Sequence, residues 1–159
     1  MNNLGLFLAI LGAALAAGLS GIGSARGVGV VGEAGAGLLS EDRRMFPKIL
    51  VLEILPGTQG LYGFLIAIFI FIKAGILSGA PVEMTWTQGL ALLAGAMPMA
   101  VVGYFSAIYQ GRVAASGVSL IAKKPTELVK GMTIAAVVEF YAVLALLVSF
   151  FAVNNVNIG

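Results

Sequence analysis

The chain of 159 residues contains no cysteine and no histidine. Thiol chemistry, a disulfide framework and the commonest metal ligand are thereby excluded. Charge is also scarce: 10% of residues are Asp, Glu, Lys or Arg, and the net charge is +2. So slight a positive excess suggests no nucleic-acid partner. Nor does the chain have a polar stretch large enough for a catalytic head. What it does have is apolar: 60% of residues are hydrophobic and the mean hydropathy is +1.05. These values point to an all-α membrane protein.

Apolar segments cover residues 4–39, 49–72, 87–121 and 131–153. Each is long enough to cross a hydrocarbon core of about 30 Å, which takes about 20 helical residues. At 1.5 Å per residue the first and third reach roughly 50 Å, so one end of each projects beyond lipid. Arg26, Glu33, Gln110 and Arg112 lie in their second halves, which marks that end. The run Ala13-Ala14-Leu15-Ala16-Ala17 imitates a signal-peptide cleavage site. Only Met1-Asn2-Asn3 precede the apolar run, without a charged n-region, so retention is expected.

Basic residues are concentrated in two connections. Arg43, Arg44 and Lys48 follow the first span, and Lys123, Lys124 and Lys130 follow the third. Residues 74–85, between the second and third spans, carry only Glu83. The positive-inside rule puts both basic loops in the cytoplasm and both termini outside a cell membrane. Pro47 and Pro125 are read as loop residues, where a missing N–H does little harm.

The chain also repeats itself at an offset of 82 residues. Leu8 matches Leu90, Gly21 matches Gly103, Ser24 matches Ser106, Gly29 matches Gly111 and Lys48 matches Lys130. Two tandem hairpins follow, residues 1–78 and 79–159, both crossing in the same sense. Inverted repeats of many secondary transporters differ in this respect. Along the first span Ala14, Gly18, Gly21, Ala25, Gly29, Gly32 and Ala36 fall on one helical face. In the third span Ala96, Ala100, Gly103, Ala107, Gly111 and Ala114 repeat the pattern. Small residues let helices approach closely in lipid. The seam is read as the crowded inner wall of a homo-oligomeric ring, lined by spans one and three. Gly21-Ile22-Gly23 is no phosphate loop, because no strand precedes it.

One charge sits deep in lipid. Glu139 lies near the middle of the last span, where an acidic residue costs about 2.5–3.5 kcal/mol on insertion scales. The second span contributes Pro56, Thr58, Gln59 and Tyr62. Proline in a membrane helix frees a backbone carbonyl. Counted from the basic loops, Thr58, Gln59, Gln110 and Glu139 converge on one plane. Gly57 occupies the duplicated position of Glu139, so only one hairpin keeps the carboxylate. Carboxylate, amide, hydroxyl and carbonyl oxygens suit a hard cation. One negative charge matches a monovalent ion, Na⁺, or a proton on Glu139. Glu53, five residues into its span, is read as snorkelling or pairing with Lys48. Met97 and Met99 flank Pro98 and are read as packing residues in a kink.

Taken together, these features resemble the rotor proteolipid of V-type ATPases. Leu55-Pro56-Gly57-Thr58-Gln59-Gly60-Leu61-Tyr62-Gly63, Gln110-Gly111-Arg112-Val113-Ala114 and Ala122-Lys123-Lys124-Pro125 are similar to the K subunit of bacterial sodium-translocating members. The resemblance implies that Leu55 (through its carbonyl), Thr58, Gln59, Gln110 and Glu139 hold Na⁺, with Tyr62 hydrogen-bonding Glu139. It also implies identical copies in a ring, lipid around it, a stator subunit with an essential arginine, and central-stalk subunits at the cytoplasmic face. ATP hydrolysis falls to other subunits. A proton-carrying rotor and a self-contained channel or transporter are the alternatives.

Overall fold

The computed structural model describes residues 3–158. Among the described residues, four helical spans are long and apolar enough to cross a membrane: Leu4–Glu41, Arg43–Lys73, Trp86–Lys123 and Pro125–Asn154. The helices are α1 (Leu4–Glu41), α2 (Phe46–Ile54), α3 (Thr58–Lys73), α4 (Trp86–Lys123) and α5 (Leu128–Asn154). A single 3₁₀ turn, Leu55–Gly57, joins α2 to α3 within the second span. Pro56 causes it, since its ring cannot complete the regular backbone ladder. Pro47 is placed in the first turn of α2 rather than in a loop. Its missing N–H would have had no intrahelical partner there. Pro98, by contrast, lies within an unbroken α4.

Helices α1 and α4 run in parallel and pack along most of their length, with α3 against α1 and α5 against α4. Close approach depends on glycine. A Cβ at Gly12 would meet the Leu93 backbone, one at Gly23 the Tyr104 backbone, and one at Gly27 the Ala107 carbonyl. On α3 and α5, Gly63 faces the Ala16 carbonyl and Gly131 faces Gly117. The missing Cβ of each glycine lets dispersion contacts form close to the backbones.

Within one subunit the two halves of the expected seam behave differently. Ala96, Ala100, Gly103, Ala107, Gly111 and Ala114 are buried, as a packing face requires. On α1, however, Gly18, Gly21, Ala25, Gly29 and Gly32 are exposed or half-buried, and Cβ atoms at Gly18, Gly21 and Gly29 would touch nothing. The buried stripe of α1 instead runs through Gly12, Ala16, Ser20, Gly23, Gly27 and Val31. Glycine and alanine occupy most of the helix circumference, so the spacing fits two faces equally well. Only the deeper contact with α4 separates them.

Two apolar clusters result, separated by a polar layer. One includes Ala16, Ile66, Ile70, Leu92, Met99 and Val153. The other includes Val31, Ile49, Leu52, Ala114, Val118 and Ile121. Buried Ser20, Ser24, Gln59, Ser106 and Gln110 lie between them.

The spans are tied off at their ends. Thr85 caps α4 in a capping box with Gln88. Lys73 Nζ donates to the carbonyls of Val153, Asn154 and Val156, at and just past the end of α5. The residues between the hairpins turn at Gly75 and Gly79, whose φ values of 70° and 69° suit glycine. At the opposite end, hydrogen bonds from the Arg44 side chain and backbone hold the Asp42 carboxyl below its ordinary range. The packing sets an expectation for Gly27→Val. Overpacking there should lower the unfolding stability in detergent by about 1–3 kcal/mol. An unchanged denaturation midpoint would disprove the close α1–α4 crossing.

Candidate ion-binding site

Glu139 lies half-buried on α5, between exposed Phe140 on one side and half-buried Val138 on the other. Two neutral donors reach its carboxylate. Tyr62 Oη donates to Oε1 at 2.6 Å, and Gln110 Nε2 donates to Oε2 at 3.2 Å. Tyr62 comes from α3 and Gln110 from α4, so three helices meet at the carboxylate. Among the described residues, the ion pairs are Arg44–Asp42 and Lys130–Glu127, and neither involves Glu139. Hydrogen bonds from neutral groups lower the cost of the charge but do not cancel it.

The network continues inward. Gln110 Oε1 accepts from Gln59 Nε2 at 2.6 Å, and both glutamines are fully buried. Thr58 Oγ1 donates to the Leu55 carbonyl at 3.0 Å and lies 3.4 Å from Gln59 Oε1. The 3₁₀ turn makes this possible, because it brings Thr58 over the Leu55 carbonyl, which also accepts the Thr58 backbone N–H. Gln59, Gln110, Glu139 and Tyr62 therefore form one hydrogen-bonded chain, and Thr58, bonded to the Leu55 carbonyl, lies beside Gln59 Oε1. Thr58 makes no direct hydrogen bond to the carboxylate; Gln59 and Gln110 stand between them.

Serines complete the layer. Ser24 Oγ accepts the Gly60 N–H at 2.8 Å, and Ser106 Oγ bonds to both Gln59 and the Val138 carbonyl. Ser20 donates to the Met99 carbonyl, and Ser149 accepts the Met99 N–H. These two stitch the Pro98 region of α4 to both flanking helices. Serines are common at helix contacts, so sequence singled out none of them for the site. The signal available was the duplicated pair Ser24 and Ser106 at the depth of Gln59.

Other charges are placed apart from the network. Lys48 Nζ donates to the Pro125 carbonyl and does not pair with Glu53. Glu53 turns instead toward α1, where its Oε1 would lie 2.9 Å from a Cβ at Gly32. The Lys48 amine is drawn to a carbonyl of the other hairpin, a contact that intervals along one helix do not reveal. Glu33 is exposed. Arg26 donates to Tyr104 Oη at 2.7 Å, and the Arg112 guanidinium stacks over Tyr109.

A tandem membrane hairpin with one deep carboxylate, held by a neutral amide and a phenol, defines an ion-translocating proteolipid subunit. The family model for the C subunit of ATP synthase matches twice, over residues 11–70 and 93–152. The chain belongs to that family. It is 48% identical to the V-type sodium ATPase subunit K of Enterococcus hirae, over 97% of this chain and 95% of that one. It is 35% identical to the A-type ATP synthase subunit K of Methanocaldococcus jannaschii, over 97% of this chain but 65% of that one. Similarity to the 16 kDa proteolipid of the human V-type proton ATPase, at 35% identity, is confined to 63 residues, 40% of this chain.

The hydrogen-bond chain makes Gln110 the central link. Gln110→Leu leaves a buried Gln59 N–H and a Glu139 oxygen without partners. The cost should be about 1–3 kcal/mol for each unsatisfied group. Chemical denaturation in detergent would measure it, and a wild-type midpoint would rule out the network as drawn.

Proposed function

We propose that the chain is a membrane rotor-ring subunit that binds Na⁺ at Glu139 and carries it across the membrane. The observation that carries this reading is a deep carboxylate on α5 that meets a polar network of neutral, oxygen-bearing groups from α3 and α4. One negative charge calls for one positive charge. A divalent ion would leave the site charged in lipid, whereas Na⁺ leaves it neutral. Leu55 (carbonyl), Thr58, Gln59, Gln110 and Glu139 are the proposed ligands, and Tyr62 holds the carboxylate in place. The sodium named in the Enterococcus hirae relative supports the same choice. A proton would need only the carboxylate, with no use for the remaining oxygens.

The subunit performs no hydrolysis itself. In this reading identical copies form a ring, and each copy carries one ion. A loaded, neutral Glu139 faces lipid as the ring turns. At the stator an arginine pairs with the unloaded carboxylate, and two offset half-channels connect the site with the two sides. Torque reaches the ring through central-stalk subunits at the cytoplasmic face, next to the two basic loops. Both termini then lie outside the cell membrane. The hairpins of residues 1–78 and 79–159 act as a single unit, because each supplies part of the site.

Carbodiimide labelling of Glu139 in the assembled ring tests the ion. Na⁺ should protect Glu139 at a pH where the carboxylate is ionised. Absence of protection would make the proton the cargo. Replacing Thr58 or Gln110 by Ala should weaken Na⁺ binding by about 1–3 kcal/mol; unchanged affinity in both variants would put the ion elsewhere. Glu139→Gln should assemble but not pump, and normal pumping would remove the proposed role of the carboxylate. Reconstituted rings alone should leak little Na⁺, whereas rapid unaided flux would indicate a channel.

A further inference from the structure

Gln59 has two amide hydrogens, and both are engaged. One is donated to Gln110 Oε1 at 2.6 Å and the other to Ser106 Oγ at 3.3 Å. The Ser106 hydroxyl, in turn, donates its single hydrogen to the Val138 carbonyl at 3.2 Å. Ser106 is therefore committed as an acceptor toward Gln59. The consequence is directional. With Nε2 held on the α4 side, Gln59 Oε1 is turned to the side of Thr58 Oγ1 and the Leu55 carbonyl. Val138 immediately precedes Glu139, so one hydroxyl links the amide of α3 to the peptide beside the carboxylate on α5. The duplicated serine, Ser24, holds the next peptide of α3 by accepting the Gly60 N–H.

We propose that Ser106 is a positioning residue that sets ion preference by fixing the amide orientation of Gln59. This rests on the Na⁺ reading above. A cation needs the amide oxygen, and an N–H turned the same way would repel it. Loading a proton on Glu139 makes no such demand on Gln59. Loss of the hydroxyl lets the amide flip, or leaves a buried N–H unpaired. The Val138 carbonyl keeps its place in the α5 helix, so its backbone bonding does not rest on Ser106 alone.

Labelling of Glu139 by carbodiimide in the assembled ring, titrated with NaCl at fixed pH, tests the assignment. Ser106→Ala should raise the half-protecting Na⁺ concentration roughly tenfold, the scale of one lost buried hydrogen bond. Labelling without Na⁺ should stay at the wild-type rate. Ser106→Thr, which restores a hydroxyl, should return protection to within about threefold of wild type, well inside the hydrogen-bond scale. Wild-type protection in Ser106→Ala overturns the proposal. So does an equal change in the Na⁺-free rate, or a well-assembled Thr variant as weak as Ala. If Ser106→Ala does not assemble, Ser106→Cys keeps the volume with a weaker hydrogen-bonding atom. A several-fold rise there supports the assignment, and wild-type protection overturns it. A wild-type ring that Na⁺ never protects fails earlier, at the Na⁺ reading itself.

Discussion

Hydrocarbon tolerates a carboxylate only when something nearby answers its charge, and much of this chain's interior is organised around that requirement. Glu139 receives one hydrogen bond from a phenol and one from an amide. Both donors are neutral. They orient the two oxygens and lower the cost of burial, but leave one unit of charge for a mobile ion to cancel. The polar layer follows from this. Gln59 and Gln110 are fully buried, and each finds partners within the layer. Among the described residues, every buried side-chain nitrogen and oxygen has a hydrogen-bond partner. Apolar clusters close the layer on both sides, which keeps water from screening the interactions inside it.

Helix proximity is the second condition. Side chains as short as serine can bridge helices only if the backbones nearly touch. Gly27 and Gly111 oppose each other on α1 and α4, and a Cβ at Gly27 would also press on Pro56. The glycine contact thus sits at the level of the 3₁₀ turn that opens the second span. Two prolines disturb the spans and are resolved differently. Pro56 breaks its helix and brings Thr58 back onto the Leu55 carbonyl. Pro98 stays inside α4, where Ser20 and Ser149 take up the backbone groups of Met99.

Most of the architecture was legible because lipid imposes simple rules. Length and hydropathy located the spans, and the offset of 82 residues revealed the two hairpins. Depth counted from the basic loops was enough to bring Thr58, Gln59, Gln110 and Glu139 together. Rotation about a helix axis was less accessible. On α1, glycine and alanine cover so much of the circumference that two stripes satisfy the same spacing, and the stripe through Gly18 and Gly29 lies off the face that packs within the subunit. Bonds between distant elements were also hidden. Lys48 chose the Pro125 carbonyl over Glu53 because the hairpins meet there, and Ser106 reached Gln59 because α3 leans on α4.

The duplication has a consequence for assembly. Tyr62, Thr58 and Gln59 come from the first hairpin, while Ser106, Gln110 and Glu139 come from the second. If the hairpins were separate chains, two of one kind could sit side by side. One such junction would have two copies of Glu139 and no Tyr62; another would have Tyr62, Thr58 and Gln59 and no Glu139. Joining the hairpins through residues 74–85 removes the sorting problem, because each half arrives with its complement already attached. The short connection makes the one-to-one ratio of the two halves a property of the covalent chain.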